Sequence, residues 1–285
     1  MLVFRREPRH YNVVGLNQPG AAFSGLQDPP MSVNLLKLDA AARKAPVVPV
    51  IVVDSARQAA PLARTLVKAG ITIAEVTLRT PAGLEAIAAM RAEAPDLLVG
   101  AGTVLTGADV DAALKAGAEF LVSPGMSPGL RDALRGREHI MIPGIATASE
   151  AMTRHEEGFA RLKLFPASIA GGAPALKALA GPLPHLRFMP TGGIGESEVQ
   201  TYLSLPNVFA IGGSWIASQA DITAGNWNRI EEIAKRLLAL AKKPLSRDSR
   251  NPSDPLGLVS AKRQCGPGLF QVLRGRHASG QHQGL

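Results

Sequence analysis

The feature that most constrains the fold is a repeat of short apolar runs, each followed by an Ala- and Leu-rich amphipathic stretch. The runs are VVPVIVV (47–53), ITIAEVTL (71–78), LLVGAGTV (97–104), FLVSPG (120–125), HIMIPGIAT (139–147), RLKLFP (161–166), RFMPTGG (187–193) and VFAIGGSW (208–215). Strands that alternate with helices run parallel, because each helix carries the chain back along the sheet. Eight such units predict an α/β fold of the (β/α)₈ TIM-barrel type.

An open, doubly wound sheet is the alternative arrangement for alternating strands and helices. Its dinucleotide-binding members carry a G-x-G-x-x-G sequence directly after the first strand. Here the first run is followed by DSARQA, which lacks that pattern. Helical spacing over residues 55–70, 80–94 and 106–118 is compatible with both arrangements. We therefore expect the barrel, near the small end of its size range.

Composition divides the chain into three segments. Residues 1–30 are rich in Gly, Pro, Asn and Gln without a clear period, which predicts a flexible N-terminal extension and makes Met31 an alternative start. Residues 31–244 contain all eight runs and form the single predicted barrel domain. Residues 245–285 mix Ser, Gly, Pro, Arg and Gln, which predicts a disordered basic tail.

The distribution of charge and cysteine limits the function classes. The tail contributes half of the net charge of +8, because it has 6 basic and 2 acidic residues. Residues 31–244 have 22 basic and 19 acidic residues. The barrel is therefore not expected to bind nucleic acid. A lone Cys265 excludes disulfides and cysteine metal clusters. The apolar runs are too short to span a membrane and the first residues lack a signal-peptide core, so a cytoplasmic protein is expected.

Two predicted strands contain charged residues. The second run ends E75-V-T-L-R79, and Lys163 lies in the middle of RLKLFP. Alternation along a strand places Glu75, Thr77 and Arg79 on one face, and Lys163 on the same face as Arg161. Inside a barrel such charges are paired or neutral, because burying an isolated charge is costly. A neutral lysine can form a Schiff base with a ketone, and a glutamate in a partly dry pocket can transfer protons.

Structural interpretations of the same residues remain open at this point. Lys163 is also compatible with the solvated side of an edge strand. Glu75 and Arg79 are compatible with an ion pair that fills the barrel interior. A metal-dependent mechanism is disfavoured, because the histidines show no H-x-x-x-H or comparable ligand spacing. These histidines are His10, His139, His155, His185, His277 and His282.

Glycine pairs follow the seventh and eighth runs, in PTGGIG and IGGS. They allow backbone N–H groups to approach a phosphate, and a following helix would add its positive end. This pair of turns contains Gly192, Gly193, Gly212, Gly213 and Ser214. Thr103 in GAGT and Ser123 in SPG offer hydroxyls to a substrate carboxylate. Turn formation alone is the alternative interpretation for both of these hydroxyl residues.

With these motifs, the sequence resembles the class I aldolases of the 2-keto-3-deoxy-6-phosphogluconate (KDPG) and 4-hydroxy-2-oxoglutarate (KHG) family, which have a (β/α)₈ fold. GITIAEVTLR (70–79) is similar to the family's glutamate signature, and GFARLKLFPASIAG (158–171) to its Schiff-base lysine signature. VGAGTV, SPG, IPGIAT, TGGI and IGGSW follow in family order. The resemblance extends from about residue 45 to about residue 240.

The resemblance implies a role for individual residues. Lys163 would be the imine-forming lysine and Glu75 the acid–base group. The ligands of the pyruvyl carboxylate would be Arg79 and Thr103. The phosphate would be held by Gly193, Gly213 and Ser214, with Gly192 and Gly212 beside it, and the pocket would be lined by Pro124, Phe165 and Thr191. The resemblance implies no cofactor and no metal, and it implies a homotrimer.

The expected activity is reversible cleavage of KDPG to pyruvate and glyceraldehyde 3-phosphate, a step of the Entner–Doudoroff pathway. Cleavage of KHG to pyruvate and glyoxylate is expected as well. One alternative is another phosphosugar barrel enzyme, such as an epimerase or decarboxylase, which needs no imine-forming lysine. The other is a barrel without catalysis that binds nucleic acid or a protein through its basic tail.

Overall fold

The structure is a computed structural model, and it describes residues 33–242. The predicted extension, residues 1–30, and the predicted tail, residues 245–285 with Cys265, lie outside the described residues. The first described helix begins at Val33.

Strands occur in all eight predicted runs. They are β1 (Val47–Ile51), β2 (Ile73–Thr77), β3 (Leu98–Gly102), β4 (Leu121–Val122), β5 (Met141–Ile142), β6 (Gly144–Ile145), β7 (Arg161–Leu164), β8 (Arg187–Phe188) and β9 (Ile211–Gly213). The fifth run contains two strands because Pro143 separates them and has no N–H for the ladder. That run also starts later than predicted, since His139 lies in a 3₁₀ turn that precedes β5.

Helices connect successive strands. They are α1 (Val33–Lys44), α2 (Ala59–Ala69), α3 (Gly83–Glu93), α4 (Gly107–Lys115), α5 (Pro128–Ala133), α6 (Ala148–Glu156), α7 (Gly172–Leu179), α8 (Val199–Leu203), α9 (Gln219–Thr223) and α10 (Trp227–Lys242). The predicted helical segments correspond to α2, α3 and α4. Thr106 and Thr147 are the N-cap residues of α4 and α6, and each forms a capping box. Within residues 33–242, no helix has the length and apolar character needed to cross a membrane.

All strand pairings are parallel. One sheet has the order β5-β4-β3-β2-β1-β9 and a second has the order β6-β7-β8. Two isolated parallel bridges, Phe188 to Val208 and Thr191 to Gly212, join the chain near β8 to the chain near β9. The described residues thus form an α/β half-barrel of parallel strands and connecting helices, in agreement with the predicted class.

Apolar side chains lie on both faces of the strands, as expected for a parallel sheet covered by helices. The larger cluster contains Val47 and Val76 from the strands and Leu62 and Ile87 from the helices. A smaller cluster contains the alternate strand residues together with two side chains of α1. Its members are Leu38, Ala42, Val48, Ile73, Leu98, Phe120, Val122, Ile142, Met189 and Ala210.

Helix α1 also forms a buried ion pair with the beginning of β7. Arg161 Nε donates to Asp39 Oδ1 at 3.0 Å, and a second guanidinium nitrogen donates to Asp39 Oδ2. Both residues are 9 % exposed. A two-bond arginine–carboxylate pair is geometrically specific. It fixes α1 at the amino ends of the strands and leaves their carboxyl ends for a functional site.

Substituting Leu38 by Ala tests whether α1 is an integral part of the core. Leu38 is 3 % exposed, so we expect Leu38→Ala to lower the free energy of unfolding by about 2–5 kcal/mol. Leu36, on the same helix, is 47 % exposed, and Leu36→Ala is expected to change it by less than about 0.5 kcal/mol. Urea unfolding measures both, and equal effects would contradict the assigned packing.

Candidate active site

A cavity of about 270 Å³ lies at the carboxyl ends of the strands. The structure brings to its wall all twelve residues to which the family resemblance gives a role. They are Glu75, Arg79, Thr103, Pro124, Lys163, Phe165, Thr191, Gly192, Gly193, Gly212, Gly213 and Ser214. Sequence analysis did not assign the other lining residues to the site, namely Val50, Thr77, Ile194 and Trp215.

The centre of the cavity holds a buried contact between a lysine and a glutamate. Lys163 Nζ lies 3.3 Å from Glu75 Oε1, and the two residues are 5 % and 1 % exposed. Each side chain comes from the middle of a strand, Lys163 from β7 and Glu75 from β2, so the sheet backbone fixes both. The Lys163 ammonium position is also 5.1 Å from the ring centroid of Phe165.

Glycine at position 102 makes room for the Glu75 carboxylate. A Cβ atom at Gly102 would lie 2.2 Å from Glu75 Oε1, closer than any real contact allows. The carboxylate therefore lies directly against the backbone of β3. Its other oxygen, Oε2, is buried and has no hydrogen-bond partner within residues 33–242. A buried acceptor without a partner is costly, so this oxygen is suited to a ligand hydroxyl or a water molecule.

A cation and a hydroxyl lie at another part of the cavity wall. Arg79 follows β2 in an exposed turn, and its guanidinium makes no ion pair with the described carboxylates. Thr103 follows β3 and has a φ of 60°, which is an unusual backbone conformation for a β-branched residue. No described residue hydrogen-bonds the Thr103 hydroxyl. Both groups are therefore available to an anionic ligand such as a carboxylate.

Backbone N–H groups are presented by the turn after β8. The Thr191 carbonyl accepts from Ala167 N–H at 2.8 Å, and the Gly192 carbonyl accepts from Ser168 N–H at 3.1 Å. In a trans peptide the N–H points opposite to the carbonyl, so the N–H groups of Gly192 and Gly193 point away from residues 167–168. The Gly193 N–H has no acceptor in the described chain, whereas the bridge between Thr191 and Gly212 directs the Gly192 N–H toward the Gly212 carbonyl. A free backbone N–H in a glycine turn of this kind can bind an anion.

The turn after β9 approaches the turn after β8 closely. A Cβ atom at Gly212 would lie 2.3 Å from Thr191 Oγ1, so only glycine allows this contact. Gly212 N–H donates to the Pro190 carbonyl at 2.9 Å, which joins the two turns. Ser214, the next residue after β9, is exposed and has a free hydroxyl in the part of the chain that the structure describes.

Two details of the sequence interpretation need correction. No long helix begins directly at the glycine turns, because α9 starts only at Gln219 and α8 is preceded by a 3₁₀ turn. The groups that these turns offer to an anion are therefore backbone N–H groups rather than a helix end. Ser123 does not line the cavity either. Because side chains alternate along a strand, Ser123 points to the opposite face from Val122. Its buried hydroxyl has no partner among residues 33–242.

The described histidines lie outside the cavity. His155 and His185 have ring centroids 3.9 Å apart, and neither residue lines the site. Within residues 33–242, no group of three or more His, Cys, Asp or Glu side chains is arranged to hold a metal ion.

Comparison with known protein sequences identifies a family. The profile of the KDPG and KHG aldolase family matches residues 38–233. The 2-dehydro-3-deoxy-phosphogluconate aldolase of Pseudoalteromonas atlantica is 46 % identical over 194 residues, which are 68 % of this chain and 90 % of that protein.

Solved structures lead to the same family. KDPG aldolase from Legionella pneumophila, with pyruvate captured as a covalent carbinolamine intermediate, is 42 % identical with a TM-score of 0.67, covering 70 % of this chain and 97 % of that one. The Zymomonas mobilis enzyme with 3-phosphoglycerate is 41 % identical with a TM-score of 0.64, covering 71 % and 95 %. The family match and these identities establish that this chain belongs to the KDPG and KHG aldolase family.

Proposed function

We propose that this chain is a class I aldolase that reversibly cleaves KDPG to pyruvate and glyceraldehyde 3-phosphate. The observation that carries the proposal is the buried contact of 3.3 Å between Lys163 Nζ and Glu75 Oε1 in the cavity. An amine and a carboxylate in this arrangement are the two groups that imine-forming cleavage needs. The pyruvate carbinolamine in the Legionella pneumophila relative supports the same chemistry.

The first step joins Lys163 to the substrate. A proton passed from the ammonium group to Glu75 leaves a neutral amine, which attacks the C2 carbonyl carbon to form a carbinolamine. Proton donation to the C2 hydroxyl releases water and leaves an iminium ion. The cationic nitrogen then withdraws electrons from the adjacent carbon chain, which the free ketone does far less well.

The second step breaks the bond between C3 and C4. Glu75, directly or through a water molecule, removes the C4 hydroxyl proton, and the C3–C4 electron pair moves into an enamine conjugated to Lys163. Glyceraldehyde 3-phosphate leaves, C3 receives a proton, and hydrolysis of the imine releases pyruvate. Glu75 Oε2 supports this role, because it is buried without a partner in residues 33–242 and can accept a hydrogen bond from the hydroxyl or the water.

The remaining cavity residues would bind the two charged ends of the substrate. Arg79 and Thr103 are proposed to hold the pyruvyl carboxylate. The phosphate would be bound by backbone N–H groups and the Ser214 hydroxyl, at Gly192, Gly193, Gly212, Gly213 and Ser214. Pro124, Phe165 and Thr191 would line the space between the two ends. The absence of a protein acceptor for the Gly193 N–H group in the described chain supports this assignment.

The same site suits KHG as a second substrate. KHG has the same 2-keto acid end and a hydroxyl at C4, so Lys163 and Glu75 would act on the same atoms and release glyoxylate. It carries a carboxylate in place of the phosphate-bearing carbons and does not need the full set of backbone N–H donors. The family description, which names both substrates, supports this second activity.

The larger assembly is also a proposal. Closure of the sheets into an eight-stranded barrel, within a domain of residues 31–244, is supported by the two bridges near β8 and β9 and by the direct continuation of β5 into β6. A homotrimer would cover exposed apolar side chains such as Leu105, Met152 and Ile169, and light scattering tests it.

We propose a cytoplasmic location, because an anionic phosphorylated substrate does not cross a bilayer unaided.

The proposed function is tested by measuring pyruvate release from KDPG in an assay coupled to lactate dehydrogenase. We expect the wild-type chain to be active and Lys163→Met to fall to background, because Lys163 is the only lysine of residues 33–242 that lines the cavity. Lys68→Met is the matched control, since Lys68 is an exposed lysine that pairs with Glu231 on the protein surface. It should retain wild-type turnover.

Two outcomes would contradict the proposal. A wild-type chain that converts phosphosugars without carbon–carbon cleavage would favour an epimerase or decarboxylase. A Lys163→Met variant that still releases pyruvate would remove the lysine from the mechanism.

Substituting Glu75 by Gln tests the acid–base role separately. The amide keeps the size of the side chain but cannot accept a proton, so turnover should fall by roughly 10²- to 10⁴-fold while imine formation stays detectable. Exchange of the pyruvate methyl protons in deuterated water, followed by NMR, should slow by a similar factor, because it requires enamine formation. Unchanged exchange would exclude Glu75 as the base.

A further inference from the structure

We propose that Trp215 is a positioning residue that holds the phosphate-binding turn after β8 in place. This inference rests on the proposed function, and it adds a residue that, among the described residues, has no hydrogen bond with Lys163 or Glu75. Trp215 lies in the turn after β9 and lines the cavity. Its indole Nε1–H donates to the backbone carbonyl of Ile194, in the turn after β8, at 2.8 Å. One side chain therefore bridges the two glycine turns.

The peptide between Ile194 and Gly195 is held from both sides. Trp215 binds its carbonyl, and its N–H, on Gly195, donates to Glu198 Oε2 at 2.9 Å. The peptides between Thr191 and Gly192 and between Gly192 and Gly193 have their carbonyls bound by residues 167–168, but the peptide between Gly193 and Ile194 has no bound carbonyl in the described chain. The Trp215 bond comes from the opposite turn and fixes the peptide on the far side of this unbound one.

Positive φ angles explain why this turn needs external support. Gly192 and Gly193 have φ values of 94° and 73°, in a region that glycine enters easily and also leaves easily. Without a fixed Ile194 carbonyl, the peptide between Gly193 and Ile194 could rotate, and the backbone beside the Gly193 N–H would be held less firmly. Binding an anion would then require ordering this part of the turn first, which lowers affinity. Trp215 thus acts on phosphate binding through the backbone.

The indole also limits the space around the second turn. A Cβ atom at Gly213 would lie 3.1 Å from Trp215 Nε1, so the ring lies close to the backbone of β9. This close approach directs the N–H toward Ile194. Phenylalanine at position 215 would keep most of the packing but has no hydrogen-bond donor, which makes Trp215→Phe the informative substitution.

Steady-state kinetics with the two substrates test the proposal. Trp215→Phe is expected to raise the KM for KDPG about three- to tenfold, the size of one lost hydrogen bond, with kcat within about twofold. KM and kcat for KHG, which has no phosphate, should stay within about twofold of wild type. Trp227→Phe removes the other indole of the chain, at the start of α10, and should change neither substrate.

A direct binding measurement separates this inference from the proposed function. Inorganic phosphate, titrated by calorimetry, should bind the wild-type chain and Trp227→Phe with equal affinity, and Trp215→Phe more weakly by the same factor as its KM change. This result holds even if KDPG is not a substrate. Equal losses for both substrates would show that Trp215 supports the whole barrel, and unchanged phosphate affinity would show that the bridge is irrelevant; either result overturns the proposal.

Discussion

The contact between Lys163 and Glu75 is the interaction on which the rest of the site depends. Removing an ammonium and a carboxylate from water is costly, and their attraction offsets that cost only when both are held in place. Here one strand from each of the two parallel sheets, β2 and β7, supplies them, and Gly102 leaves space for the carboxylate. One carboxylate oxygen has no partner in the described chain, so the pair leaves an acceptor for a ligand hydroxyl or a water molecule.

Strand β7 carries two cationic side chains on one face, and the two have different surroundings. Arg161, at the start of the strand, makes two hydrogen bonds with Asp39 of α1. Lys163, two residues later, makes one contact with Glu75 and lines the cavity. The arginine pair is suited to structure because both carboxylate oxygens are used. The lysine pair is suited to chemistry because one oxygen is left free.

Several parts of this arrangement could be predicted from the sequence because they depend on local pattern. Alternation along β2 and β7 predicted which residues share a face with Glu75 and with Lys163, and the glycine pairs marked the two turns beside the cavity. The break between β5 and β6 could also have been predicted, because Pro143 has no backbone N–H. Ser123 was misjudged because a shift of one residue along a strand reverses the face.

Other features depend on contacts between distant residues and leave no local signal. The left-handed backbone of Thr103 is not expected for a β-branched residue and is visible only in the fold. Asp39 pairs with Arg161 across 122 positions of sequence. Trp215 is part of a recognisable motif, but its acceptor, the Ile194 carbonyl, is defined by how the two turns meet. These contacts determine how the chemistry-bearing residues are oriented.

The central claim is that Lys163 forms a covalent imine with a 2-keto acid, and reductive trapping tests it most directly. The wild-type chain would be incubated with pyruvate and sodium borohydride, digested, and analysed by peptide mass spectrometry. The account predicts a reduced pyruvyl adduct on the peptide that contains Lys163, and none when pyruvate is omitted. No adduct, or an adduct on a different lysine, would contradict it.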